Sequence, residues 1–175
     1  MYYIMAALIF VCGILIFLYL WRKLIRKSGK KRSLLYIFLV AILFLPFSLV
    51  GLIQMDSYFI FGIIFTIGIA GCMGGWFLFP SFMYADIAED DEKTTGELKA
   101  GIYTGFPSIV LNLFQALGLF LMGIIIDYTP LITVGASTFT IGHILWGPIC
   151  SLILIVAYLY SRKFVKLDFD WEKSE

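Results

Sequence analysis

Three polar side chains interrupt the stretch GIYTGFPSIVLNLFQALGLFLMGIII: Ser108, Asn112 and Gln115. Their spacing of i, i+4 and i+7 places them on one face of an α-helix, with Tyr103, Thr104 and Gly105 about a turn earlier. One hydroxyl and two amides make and break no covalent bonds. They donate and accept hydrogen bonds, which is the chemistry that recognises the hydroxyls of a small polar solute. The same groups could instead bond to neighbouring helices, at roughly 0.6 to 2 kcal/mol per contact. Either way the face must turn toward protein or a wet cavity, because an unpaired amide in hydrocarbon is costly.

Other chemistry is excluded more simply. The chain has no phosphate-binding glycine loop, nucleophile elbow, zinc spacing or dinucleotide fingerprint. An intramembrane protease would need paired aspartates or a Ser/His pair inside its apolar segments, and neither is present. An enzyme is therefore not expected, nor a bound cofactor or metal. Cys12, Cys72 and Cys150 each sit alone in an apolar run, which reads as three small buried side chains rather than a disulfide or metal framework. His143, the single histidine, and Asp127 fall near the ends of apolar segments, where a satisfied or interfacial group is the economical reading.

The elements that carry these residues follow from composition. Of 175 residues, 61% are hydrophobic and 14% charged, against about 25% charged in soluble domains. With a mean hydropathy of +0.96, the solvent for this chain is a lipid bilayer. A membrane helix needs roughly 20 apolar residues. Five stretches qualify, approximately 2–21, 34–54, 58–84, 102–126 and 139–160, and none contains Lys, Arg, Asp or Glu. The expectation is an all-α polytopic bundle over residues 1–161 followed by a tail, 162–175. Pro46, Pro80, Pro107 and Pro148 fall in or near the spans, tolerable where neighbouring groups satisfy the carbonyls they free.

All 13 Lys and Arg fall in three segments: WRKLIRKSGKKRS, the stretch around Lys93 and Lys99, and the tail. These alternate with turns that have none, at 55–57 and 128–137. The positive-inside rule then puts the N-terminus outside and the C-terminus in the cytoplasm of a cell-membrane protein. The net charge of +1 gives no reason to expect a nucleic-acid partner. Arg22 and Lys23 open the basic segment, which is attracted to anionic headgroups and could also salt-bridge the acidic one. Asp86, Glu89 and Asp90 belong to that acidic segment, a charged island in SFMYADIAEDDEKTTGELKAGIYTGF that reads as a loop in water. Five spans with the N-terminus outside match a six-helix half with one helix removed, so a fragment of a larger bundle is expected. In the third span, Gly71 and Gly75 form a G-x-x-x-G, with Gly68 and Cys72 a second small pair. Close helix packing and a bend near Pro80 are both compatible with this pattern. Trp76 beside it could line a cavity or face a neighbouring helix.

The segment from Pro80 to Phe106 resembles the cytoplasmic loop between helices ten and eleven of the glycoside–pentoside–hexuronide:cation symporters, melibiose-carrier-like members of the major facilitator superfamily. The likeness rests on Ala85-Asp86-Ile87, the acidic patch Glu89-Asp90-Asp91-Glu92, Thr95-Gly96, and Ala100-Gly101-Ile102-Tyr103. The basic loop after Trp21 resembles that family's loop between helices eight and nine, and Gly123 to Tyr128 resembles its exit from helix eleven. The resemblance implies that the five spans are helices eight to twelve of a cation-coupled sugar symporter. It implies alternating access, a coupling cation such as sodium or a proton in the complete transporter, and an N-terminal half supplied elsewhere. Ser108, Asn112, Gln115, Tyr103 and Trp76 would be substrate-cavity residues. Asp86, Glu89, Asp90, Arg22 and Lys23 would form the cytoplasmic gate. This chain has Ala100 and Asn112 where that family usually has Glu and Lys, and no coupling site is carried over. A non-transporting membrane scaffold or regulatory subunit that reuses the fold, or a fragment of a lysolipid-type transporter, are the alternatives.

Overall fold

A computed structural model describes residues 2–53, 59–97, 99–135 and 137–167. Five helices are long and apolar enough to cross a membrane. They are α1 (Tyr2–Ser28), α2 (Lys30–Phe44) extended by a 3-10 segment (Leu45–Leu52), α3 (Phe59–Thr95), α4 (Ala100–Tyr128) and α5 (Gly142–Phe164). A two-stranded hairpin, β1 (Leu131–Val134) and β2 (Ser137–Thr140), lies between α4 and α5. The all-α membrane bundle expected from composition is what the chain forms.

The charged segments are helical, which corrects the reading of the acidic island as a loop. At 1.5 Å per residue, α3 is roughly 55 Å long, well beyond a hydrocarbon core of about 30 Å. Its final turns, Glu89 to Thr95, therefore stand clear of the apolar zone as a water-facing extension, with Asp86 enclosed just before them. Thr94 and Thr95 donate to the carbonyls of Asp90 and Asp91, both at 2.8 Å. Gly96 (φ 74°) closes the helix by donating its N–H to the Glu92 carbonyl at 2.8 Å. The basic loop shrinks in the same way, to one residue. Gly29 turns the chain from α1 into α2 at φ 82° and ψ 162°, a region open essentially to glycine alone.

The fifth helix begins at Gly142, not near residue 139. Phe139 and Thr140 pair instead with Ile132 and Leu131 in the hairpin. β-branched residues on both sides of Gly135 (φ 62°) favour that pairing over another helical turn. Thr129 ties the junction together, accepting the Gly142 N–H at 2.8 Å and donating to the Ile125 carbonyl at 2.8 Å. Gln54, Tyr58, the turn 55–57, the side chains of Ala100 and Thr104, and the tail 168–175 lie outside the described residues.

Small residues bring the helices together. A Cβ on Gly74 would lie 3.1 Å from that of Phe17 and 3.3 Å from the Ile14 carbonyl oxygen, so α3 meets the backbone of α1 there. Gly71 faces Phe17, Gly75 faces Ile37 of α2, and Gly68 faces the Phe44 ring. The glycine run therefore packs against two helices at once, and α3 continues unbroken through Pro80. Trp21 fastens the contact by donating its indole N–H to the Gly71 carbonyl at 2.8 Å.

Helices α2 and α5 are joined by a reciprocal exchange. Pro46 has no N–H to give the carbonyl four residues back, Ile42, and the Ser151 hydroxyl of α5 donates to that oxygen at 2.9 Å. Pro148 likewise frees the carbonyl of Ile144, which accepts from the Ser48 hydroxyl at 2.7 Å. Each proline opens an acceptor on its own helix, and a serine on the other helix fills it. Gly147 allows the approach, because a side chain there would strike the Leu45 carbonyl and Ser48.

The apolar core gathers at the end bearing the basic residues: Trp21, Ile25, Leu34, Ile37, Phe38, Phe79 and Leu167. Helix α4 takes no part in it. It touches α3 and α5, yet none of its described residues is buried. A side chain added at Gly105, Gly118 or Gly123 would meet nothing within 4 Å. The three cysteines are free, and Cys12 is exposed on α1 rather than buried.

Candidate functional site

Helix α4 presents its polar stripe as expected from spacing. Ser108 is half-buried, while Asn112 and Gln115 are exposed. Neither amide has a hydrogen-bond partner among the described residues. Leu113 and Leu117, 59% and 47% exposed, occupy the opposite face. Such a helix is not finished by the other four, because its amides need either water or further protein.

Tyr103 and Trp76 stand apart from this stripe. Five residues before Ser108 the helix has turned by about 500°, so Tyr103 points away from the face that carries Asn112. It is set against the Asp91 carboxylate, with Lys99 nearby. Trp76 packs edge-on against Phe38, ring centres 5.8 Å apart at 68°. It lines an apolar cavity of about 250 Å3 among α2, α3 and α5, with Ile37, Met73, Trp146 and Leu154. No described α4 side chain lines that cavity. The five side chains singled out for a solute cavity thus fall in three places, and only Ser108, Asn112 and Gln115 share one face.

The charged end is ordered by one short ion pair. Lys30 Nζ lies 2.8 Å from Asp86 Oδ2, with side chains 22% and 11% exposed. Gly29 sets Lys30 at the first position of α2, facing the stretch of α3 where Asp86 is enclosed. The remaining pairs are looser: Glu89 with Lys93 at 3.0 Å, one helical turn apart, and Lys99 with Glu97 at 3.3 Å and Asp91 at 4.0 Å. Asp90 holds Thr94 through its backbone. Arg22 and Lys23 are exposed on α1 and take part in none of these pairs.

Sequence reasoning therefore found Asp86 but missed its partner. Lys30 was hidden among seven cations of equal standing, and only the Gly29 turn distinguishes it. It also missed Ser48 and Ser151, although Pro46 and Pro148 mark the carbonyls they satisfy. At the hairpin end, His143 Nδ1 lies 2.6 Å from Thr140 Oγ1, a local contact at a helix start. No group of three or more metal-ligating side chains occurs among the described residues.

A family model described as MFS/sugar transport protein matches residues 2–162. No curated protein and no solved structure matches the chain.

Proposed function

This chain belongs to the MFS/sugar transport protein family, within the major facilitator superfamily, and on that premise we propose that it is part of a cation-coupled symporter for a sugar or related polar solute. Its five helices take the places of helices eight to twelve, as the Pro80–Phe106 resemblance implies. The observation that carries this reading is the uncovered polar face of α4. Asn112 and Gln115 are exposed on a helix that is otherwise apolar from residue 109 to residue 126 and touches chiefly α3 and α5 among the helices. In a complete transporter that face lines the solute path, where water and sugar hydroxyls satisfy the amides. The helices that close the path come from an N-terminal half, encoded with this chain or separately.

Transport then proceeds by alternating access, two bundles rocking about a site at the middle of the membrane. The basic end faces the cytoplasm of the cell membrane. There Lys30 and Asp86 hold α2 to α3, and Glu89 and Asp90 are placed to meet the opposite bundle when the inner side closes. The coupling ion is sodium or a proton, bound largely by the other half.

The test is uptake into vesicles. The chain is co-expressed with the remaining helices, and a panel of labelled mono- and disaccharides is offered under an inward sodium or proton gradient. Asn112→Leu and Gln115→Leu should each lower uptake at least tenfold while membrane insertion is retained. Uptake at the parent rate in both variants would assign the stripe to packing and refute this reading.

A further inference from the structure

Leu167 lies three residues beyond the end of α5, yet it is only 3% exposed. It is buried in the apolar cluster with Trp21 and Ile25 of α1, Leu34 of α2 and Phe79 of α3, and Val165 packs against the same cluster. The segment after α5 is thereby folded onto the basic end of the bundle. Arg162, Lys163 and Lys166 arrive there with it, all exposed.

They lie at the same end of the bundle as a cationic surface on α1. Trp21 and Ile25 are buried, and the residues following them, Arg22, Lys23, Arg26 and Lys27, are exposed. Helical geometry spreads those four over one continuous arc of about 140°, turned away from the core. Further along α1 the same arc carries Leu15, Ile16 and Tyr19, 62%, 59% and 68% exposed. An uncovered apolar stripe thus runs directly into a cationic end. None of these cations takes part in the ion pairs of Asp86, Glu89, Asp91 and Glu97. Among the described residues, the ion pairs gather on Lys30, Lys93 and Lys99, at the acidic extension of α3.

We propose that this surface is a binding site for the phosphate headgroup of an anionic phospholipid, and that docking of Leu167 completes it. Arg22 and Arg26 grip phosphate oxygens through guanidinium N–H groups, with lysines adding charge. The acyl chains lie along Leu15, Ile16 and Tyr19. A general attraction of basic loops to membranes depends on net charge alone. This site depends also on an uncharged leucine that brings two distant segments together. It is independent of which solute is transported.

The full chain, purified in neutral detergent, is titrated with phosphatidylglycerol or phosphatidylcholine, and bound lipid is counted by native mass spectrometry. Phosphatidylglycerol should bind at least tenfold more tightly. Each charge near a headgroup is worth about fivefold in binding, so Arg22→Gln/Arg26→Gln should weaken it by about twenty-fivefold. Arg162→Gln/Lys166→Gln should weaken it comparably with Leu167 in place. Leu167→Asn should cost about fivefold at unchanged charge and helical content, and Lys93→Gln should change nothing. The proposal is overturned if phosphatidylcholine binds equally or if Lys93→Gln weakens binding as much as the arginine pair. It is overturned too if inorganic phosphate displaces the lipid at equal concentration, which would make the site one for a free anion. If Leu167→Asn loses helix, the Arg162/Lys166 variant decides, and parent-like binding by it removes the second segment from the site.

Discussion

The proline–serine exchange between α2 and α5 can be dissected by a pair of substitutions that should rescue one another. Ser151→Ala removes the hydroxyl 2.9 Å from the Ile42 carbonyl and leaves that oxygen with neither a helical N–H nor a side-chain donor. An interhelical hydrogen bond in a membrane protein is worth about 0.6 to 2 kcal/mol, and a stranded buried acceptor costs about 1 to 3 kcal/mol. Ser151 is buried at 5% exposure, so water cannot readily substitute. The expected cost is about 2 kcal/mol. Pro46→Ala returns an N–H to the same carbonyl. The double variant Pro46→Ala/Ser151→Ala should therefore be more stable than the sum of the single effects by about 1 kcal/mol. The mirror pair, Ser48→Ala with Pro148→Ala, should behave alike but more weakly, because Ser48 is only half-buried. Stability is read as the unfolding midpoint of the purified chain in mixed detergent as SDS is raised, with helix followed by circular dichroism. Strict additivity, within about 0.5 kcal/mol as for independent sites, would show that the serine and the proline do not share one carbonyl.

Other substitutions probe the same helix contacts. Lys30→Gln should destabilise the chain more than Asp86→Asn, by roughly 3 against 1 kcal/mol, since it takes a cation from the less exposed member of the pair. Equal small losses in the same SDS assay would mean that both charges remain solvated. Gly147→Ala should cost about 1 to 3 kcal/mol by forcing α5 off the Leu45 carbonyl. Gly118→Ala, with nothing near it, should be neutral or stabilising by up to about 1 kcal/mol through helix propensity. Trp21→Phe should cost about 1 kcal/mol by deleting the indole bond to Gly71 while keeping the ring's bulk. A parent-like midpoint would mean that the bond contributes nothing.

The membrane bundle was legible because hydrophobic runs of span length and the confinement of Lys and Arg are long-range statistical signals that individual contacts do not alter. Helix ends were less legible. Asp86 to Glu92 look like a loop by charge, but charge does not oppose helix formation once the helix has left the lipid. Gly29 and Gly96 set where turning happens, and both positions require positive φ. The hairpin was missed because its strands are four residues each: 131–134 read as part of the outer turn and Phe139 as the start of the last span. The polar stripe of α4 was legible from periodicity alone, since Ser108, Asn112 and Gln115 share a face whatever lies opposite. The Trp76 cavity and the Lys30–Asp86 pair were not, because each depends on how helices distant in sequence cross. The two serines lie between. Proline marks which carbonyl is open, but only the crossing at Gly147 says which helix answers.

Whether the α4 stripe meets water inside the membrane can be measured directly. Asn112→Cys, Gln115→Cys, Leu113→Cys and Leu117→Cys can be placed one at a time in a background with Cys12, Cys72 and Cys150 replaced by alanine. Each is assembled with the remaining transporter helices and exposed to a charged, membrane-impermeant thiol reagent. Positions 112 and 115 should react at least tenfold faster than 113 and 117, and a transported sugar should protect them. Equal, slow reaction at all four positions would place the stripe in protein or lipid and contradict the claim that it lines a solute path.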